Sequence, residues 1–258
     1  MRKKRISLTI EKDLLRKVDS LIDGIKFRNR SQVVEFLLRE ALKLEKVSKA
    51  IILAGGKKEK LLYKDTYKPL YKVKGKPLIL WILEKLKKAN VSQITIAGGP
   101  ITDQVFKLVG DGSELGLSIS YIREKEPLGT AGVIKKIANK LDSTFFVIYG
   151  DEFFDFDLKE MINFHRSNRS LATIAIATTH LEKSKDFIKI LGNKVVGFTS
   201  PAKETRSFYV SAGVFLFEPE ALKFFPEKGW IEKDVLPRLI RSGRVYAFTF
   251  TGEWFHLE

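Results

Sequence analysis

Two glycines, Gly55 and Gly56, follow the apolar run at residues 50–54. Glycines placed after a strand let successive backbone N–H groups approach a phosphate with no Cβ in the way. A second apolar run, residues 145–149, ends in Gly150 and Asp151. A carboxylate at that point suits either a cation ligand or a simple strand-terminating cap. Lys68 lies in a stretch, residues 57–76, that holds eight lysines and only Glu59 and Asp65 as acids. That stretch fits three readings: a phosphate site, a contact to DNA, or a solvated face. At the N-terminus, Arg5, Ser7 and Thr9 alternate with Ile6, Leu8 and Ile10. One strand face would then carry a guanidinium able to pair with a guanine edge, and two adaptable hydroxyls.

The chain has 258 residues, 44% of them hydrophobic and 30% charged, which is a globular composition. No apolar run approaches the length needed to cross a membrane. The absence of cysteine excludes disulfides and thiolate metal sites and fits a reducing interior, so a cytoplasmic location is expected. The net charge of +15 points to a polyanionic partner, or to the lysine-rich surface of heat-adapted proteins. Residues 1–48 carry a net +6 on less than a fifth of the chain, and the remainder carries +9.

The elements that must position these groups fall into two sets. After the strand at residues 5–10, a helix at 11–22 places Leu14, Leu15, Val18, Leu21 and Ile22 on one stripe. Gly24 and Arg28-Asn29-Arg30 interrupt it. A second helix begins at Ser31 as N-cap and continues through Val34, Leu37, Leu38 and Ala41 to about Lys46. One strand and two helices leave a ladder unpaired and too small a core, so a second copy is expected to complete them. This segment, residues 1–46, resembles the ribbon-helix-helix family of DNA-binding proteins over its whole length. The resemblance implies a homodimer on double-stranded DNA, with a higher oligomer left open. Arg5, Ser7 and Thr9 would face bases; Ser31 and the Gln32 N–H would clamp a phosphate, with Arg28 and Arg30 nearby. A dimerisation arm without DNA is the competing reading, although such an arm has no need of Arg2, Lys3, Lys4 and Arg5 together.

From residue 49 the pattern alternates strand and helix. Strands are expected at 50–54, 93–97, 117–122, 145–149, 172–177, 208–217 and 246–250, and helices at 78–88, 103–109, 131–141 and 233–242. This is an α/β class: a three-layer, mainly parallel, Rossmann-like domain over residues 49–258, with its ligand site at the strand C-termini. Several motifs occur in order. They are Ala50-Ile-Ile-Leu-Ala-Gly-Gly56, Tyr67-Lys-Pro-Leu70, Gly75-Lys-Pro-Leu-Ile79, Gly110-Asp-Gly-Ser113, Pro127-Leu-Gly-Thr-Ala-Gly132, Tyr149-Gly-Asp151, Ser211-Ala-Gly213 and Glu232-Lys-Asp-Val-Leu-Pro237. Together they resemble the sugar-1-phosphate nucleotidyltransferases, especially the mannose-1-phosphate guanylyltransferase-like branch. The resemblance implies nucleotide contacts from Leu53, Ala54, Gly55, Gly56, Gly112, Gly129 and Thr130. It assigns charge neutralisation at the phosphates to Lys68, with Lys60 as an imperfect stand-in for a loop arginine, and a Mg²⁺ ion to Asp151.

Three departures bear on activity. Lys58, Glu59 and Lys60 stand where the family has Gly-Thr-Arg, Thr199-Ser200-Pro201 where it has Glu-Lys-Pro, with Lys203 as a possible substitute, and His256 where it has a second metal aspartate. The expectation is therefore a dimeric DNA-binding transcriptional regulator whose second domain binds a nucleotide or sugar nucleotide as effector, with catalysis impaired. The alternative is an active enzyme joining a nucleoside triphosphate and a hexose 1-phosphate, with a DNA-binding or dimerisation arm.

Overall fold

The computed structural model describes residues 5–24, 27–41, 47–56, 61–124, 126–179, 187–199 and 208–257. Arg2, Lys3, Lys4, Lys58, Glu59, Lys60, Ser200, Pro201 and Lys203 lie outside these residues. The chain divides into two compact units, Met1–Glu45 and Lys46–Glu258.

In the first unit, α1 (Lys12–Ser20) and α2 (Arg30–Ala41) are the two expected helices. Val18 and Val33 are buried, and the Phe27 and Phe36 rings meet at 5.0 Å. The Arg30 fork closes on Asp19 at 2.6 and 2.7 Å, a bidentate pair exposed to solvent. Two details differ from the sequence pattern. Residues 5–10 pair with no strand, since the single chain offers no partner ladder. Helix α2 begins at Arg30 and is capped by Asn29, whose Oδ1 accepts the Gln32 N–H at 3.0 Å. Ser31 is therefore inside the first turn, and the Gln32 N–H assigned to a phosphate already has a partner. Arg28 is exposed, and its N–H donates to Gln32 Oε1 at 2.7 Å. Arg5, Ser7 and Thr9 are all exposed.

The second unit starts with β1 (Lys49–Leu53) and two short hairpins, β2–β3 (Leu62–Tyr63 and Thr66–Tyr67) and β4–β5 (Lys72–Val73 and Lys76–Pro77). Next come α3 (Leu78–Lys88), β6 (Gln93–Gly98), α4 (Ile101–Val109), β7 (Ser118–Arg123), α5 (Gly129–Lys136) and β8 (Phe145–Tyr149). The chain then adds β9 (Glu152–Phe154), α6 (Leu158–Ser167), β10 (Ala172–Thr179), β11 (Phe187–Leu191), β12 (Lys194–Thr199) and β13 (Phe208–Phe217). It closes with α7 (Leu236–Ile240), β14 (Val245–Thr249) and β15 (Trp254–His256). Among the described residues the main sheet has nine strands, ordered β11-β12-β14-β10-β13-β8-β1-β6-β7. Its β8-β1-β6-β7 half is parallel throughout, and β13 enters antiparallel between β8 and β10.

Alternation along the central strands builds the three layers. Ala50 and Ile52 of β1, with Phe146 and Ile148 of β8, join the core under α3, α4 and α6. Ile51, Phe145 and Val147 point to the opposite core, under α5 and α7. Helix α6, which the apolar pattern did not reveal, is capped by Asp157, whose Oδ1 accepts the Lys159 N–H at 2.8 Å. The expected helix at 233–242 is shorter, because a π turn at Ile231–Val235 precedes α7. Phe146 is fully buried in the middle of this sheet. Phe146→Ala should cost the second unit about 3–5 kcal/mol, read as a lower urea midpoint in chemical denaturation.

Candidate active site

Parallel pairing aligns the C-terminal ends of β1, β6 and β8 at one edge of the sheet. The Gly150 N–H donates to the Leu53 carbonyl at 2.8 Å, and the Ala54 N–H to the Ala97 carbonyl at 2.7 Å. Leu53 and Ala54 are thus held into this edge, while Gly55 and Gly56 are exposed. A Cβ at Gly55 would collide with Glu124 Oε2, so a side chain is excluded there by close approach. Glu124 Oε1 accepts the Leu128 N–H at 3.1 Å, which fixes the carboxylate over the glycines. An open cleft beside them is lined by Gly56, Leu61, Tyr67, Pro100, Glu124 and Pro127. Glu124 was not among the sequence candidates. Its signal is a carboxylate directly after the β7 strand and four residues before Leu128.

Lys68 enters from the other side. Its N–H donates to the Leu61 carbonyl at 2.9 Å, and Pro69 lies against Gly150. The side chain is buried, and Nζ stands 3.3 Å from Asp151 Oδ2. Lys68 and Asp151 are therefore brought together next to the glycine turn. Lys74, Lys76 and Lys64 of this stretch have different engagements. Lys74 pairs with Glu253, Lys76 pairs with Glu84 at 2.6 Å and covers the Trp81 ring, and Lys64 lies over Tyr63.

Behind Asp151, β9 and β15 pair antiparallel with Glu152 opposite His256. His256 Nδ1 is 3.1 Å from Glu152 Oε1 and 3.9 Å from Asp151 Oδ2, and ligand atoms of all three residues lie within 4.8 Å of one another. Burial pushes the Glu152 carboxyl up, partly offset by His256. Burial lowers His256, but its hydrogen bond to Glu152 and the two carboxylate charges outweigh this and hold the imidazole above its ordinary value. Such a set can hold a cation. It does not suit Mg²⁺, which favours oxygen ligands and water, because one of three positions is an imidazole nitrogen.

The remaining nucleotide candidates are placed differently. Gly129 and Thr130 open α5, but Thr130 Oγ1 accepts the Ile231 N–H at 2.8 Å and so ties α5 to the 229–231 turn. Tyr149 donates to Glu232 Oε1 at 2.5 Å on the same side; burial and the Glu232 charge push its hydroxyl well above the ordinary tyrosine value. Gly112 is not at the site. It lies beside Leu117 and Ile119 at the start of β7, whereas the glycine turn is at the far end of the parallel strands, roughly 16 Å of strand away. Its glycine is required by a φ of +82° and by contact with Ile119.

A doubly covered parallel sheet with glycines, a lysine and a carboxylate at its C-terminal edge defines a nucleotide-binding α/β class. Residues 49–257 match the family described as "Nucleotidyl transferase", and the chain belongs to that family. It is 32% identical over 217 residues to the mannose-1-phosphate guanylyltransferase catalytic subunit beta of Drosophila pseudoobscura pseudoobscura, covering 80% of this chain and 58% of that one. It is 30% identical over 214 residues to the mannose-1-phosphate guanylyltransferase of Mycobacterium tuberculosis, covering 80% and 59%. The chain thus spans under two thirds of the length of these relatives. The crystal structure of HddC from Yersinia pseudotuberculosis complexed with GMP-PN superimposes with a TM-score of 0.66 at 25% identity, covering 81% of this chain and 93% of that one. No helix among the described residues is long and apolar enough to cross a membrane.

Gly129 has a φ of +76°, and a Cβ there would strike the Gly229 carbonyl. Gly129→Ala should therefore push α5 away from the 229–231 turn and cost about 1–3 kcal/mol, seen as a lower Tm for the second unit.

Proposed function

We propose that the second unit transfers a nucleotidyl group from a nucleoside triphosphate to a sugar 1-phosphate, releasing pyrophosphate. The observation that carries this reading is the Lys68–Asp151 pair, buried on the lysine side and set at the strand ends beside the glycine turn. In the reaction an oxygen of the sugar phosphate attacks the α-phosphorus, and the bond to the pyrophosphate oxygen breaks. Both reactants are anionic, so a fixed ammonium at their meeting point lowers the barrier by offsetting their repulsion as they approach. The backbone around Leu53, Ala54, Gly55 and Gly56 would approach the phosphates, with the Glu124 carboxylate standing against Gly55, and Gly129 and Thr130 would contact the nucleotide.

Glu124 suits guanine as the base. Guanine presents two adjacent donors, N1–H and the 2-amino group, and a carboxylate offers two acceptors. Adenine offers an acceptor at N1 and would face the carboxylate unfavourably. This choice agrees with the guanylyl activity named for both relatives and the guanine nucleotide bound to HddC. Lys60, outside the described residues, is proposed to supply further positive charge to the phosphates.

A specific feature of the first unit favours a second role. Ile6 and Leu8 are 68% and 58% exposed, and Leu14, Leu21, Leu37 and Leu38 are also exposed, on a unit of about forty residues. A second copy pairing residues 5–10 as a ribbon would cover this surface. We propose such a ribbon-helix-helix homodimer on double-stranded DNA, with Arg5, Ser7 and Thr9 toward bases. Ser31 and Gln32 would lie at the phosphate-facing end of α2, with Arg28 and Arg30 beside them. Binding phosphate through the Gln32 N–H would require Asn29 to release it.

Pyrophosphate release from GTP and mannose 1-phosphate tests the first role. Lys68→Ala should lower turnover by roughly 10²–10³-fold while the protein stays folded. Glu124→Gln should reduce the preference for GTP over ATP by about tenfold. A wild-type protein that binds nucleotide but turns over none of the four nucleoside triphosphates would overturn catalysis; the second unit would then be an effector-sensing domain for a DNA-binding regulator. For the DNA role, fluorescence anisotropy against a selected DNA pool should show a preferred sequence at physiological salt. Arg5→Ala should erase that preference without changing nucleotide binding.

A further inference from the structure

The donor set behind Asp151 disagrees with the Mg²⁺ that nucleotidyltransferases of this family use, and that disagreement has a constructive reading. We propose that Asp151, Glu152 and His256 form a site for a borderline first-row ion of the Zn²⁺ or Co²⁺ kind, in preference to Mg²⁺. The proposal takes only its location from the proposed function and needs no turnover.

The backbone holds the three ligands from a stiff frame. Glu152 and His256 are register partners on β9 and β15, and the Leu257 N–H donates to the Asp151 carbonyl at 3.0 Å. Ligand atoms about 2.1 Å from a tetrahedral ion lie about 3.4 Å apart. His256 Nδ1 stands at 3.1 Å from one carboxylate oxygen and 3.9 Å from the other, which brackets that separation. Asp151 Oδ2, which also faces Lys68 Nζ at 3.3 Å, would have to turn toward His256 for all three atoms to meet one ion.

A second observation points to a missing partner. Glu152 is only 6% exposed and its Oε2 lacks a hydrogen bond of normal geometry, although the Trp254 N–H lies toward the carboxylate. A buried carboxylate with an unsatisfied oxygen is costly unless a cation completes it. The fold makes room for this side chain at Gly213, whose φ is +68° and whose Cβ would strike Glu152 Cγ. The chain has thus kept a buried carboxylate against an imidazole where two oxygens alone would favour Mg²⁺. Imidazole nitrogen suits Zn²⁺ and its neighbours, and Mg²⁺ gives up its water for it reluctantly.

Co²⁺ titration of the full chain tests the site through visible absorption. One Co²⁺ per chain should produce a d–d band that a hundredfold excess of Mg²⁺ leaves in place and stoichiometric Zn²⁺ abolishes. Glu152→Gln should weaken Co²⁺ at least tenfold. His256→Asp should reverse the order, so that Mg²⁺ competes with Co²⁺ at comparable concentration. If His256→Asp does not keep its circular dichroism spectrum, His256→Asn, which retains a donor toward Glu152, should still lose the band. The proposal is overturned if the wild type shows no band, if Mg²⁺ displaces Co²⁺ at equal concentration, or if folded His256 and Glu152 variants bind Co²⁺ as the wild type does. Nucleotide binding measured in chelator reads the proposed function separately, so failure of either leaves the other distinguishable.

Discussion

Strand β1 is enclosed on both faces and both edges. Ile51 and Ile52 are fully buried in opposite cores, and β6 and β8 occupy its two ladders. A strand so enclosed has free backbone groups only where it ends, and in a parallel sheet neighbouring strands end together. The glycine turn after β1, the end of β6 at Gly98 and Asp151 after β8 are gathered for that reason. The site is a consequence of how β1 is buried, with Ala54 and Gly150 anchored by backbone bonds to neighbouring strand ends.

The same constraint explains what the sequence made legible. Continuous apolar runs bounded by glycine mark β1 and β8, and the 3.6-residue period marks α3 over residues 78–88 as expected. What escaped were short hairpins, such as β11–β12, and elements whose partners are distant in sequence. Strands β9 and β15 are three residues each and exist because they pair with one another across about a hundred residues. Helix α6 carries polar residues through much of its length and is recognisable by its Asp157 cap. Gly112 shows the opposite error: a glycine demanded by a turn at the wrong end of β7 looks, in one dimension, like a glycine demanded by a phosphate. In the first unit Asn29 and Ser31 were both able to cap, and the side chain one residue before the helix took the role.

Glu124 could not be weighed from sequence for a related reason, and Lys68 stood out only through its Tyr67-Lys-Pro-Leu70 motif. Each is one charged residue among many in a chain with 77 charged side chains, 46 basic and 31 acidic. Their distinction is geometric. Glu124 is fixed by the Leu128 N–H against a glycine that leaves it space, and Lys68 is buried within reach of Asp151. The neighbouring Lys74 and Lys76 are paired with Glu253 and Glu84, so among the described lysines of this stretch Lys68 is the one beside Asp151.

His256 changes meaning most between one dimension and three. Read along the chain, it is a lost carboxylate. In the fold it is bonded to Glu152, a residue that has no reason to be buried there by itself, and the two are coupled across a strand pair. Replacing one ligand would leave a buried acid uncompensated; a coupled pair indicates that the position has been rebuilt around a different donor set. Of the departures in the sequence, His256 is thus the one whose side chain has a partner across a strand pair in the fold.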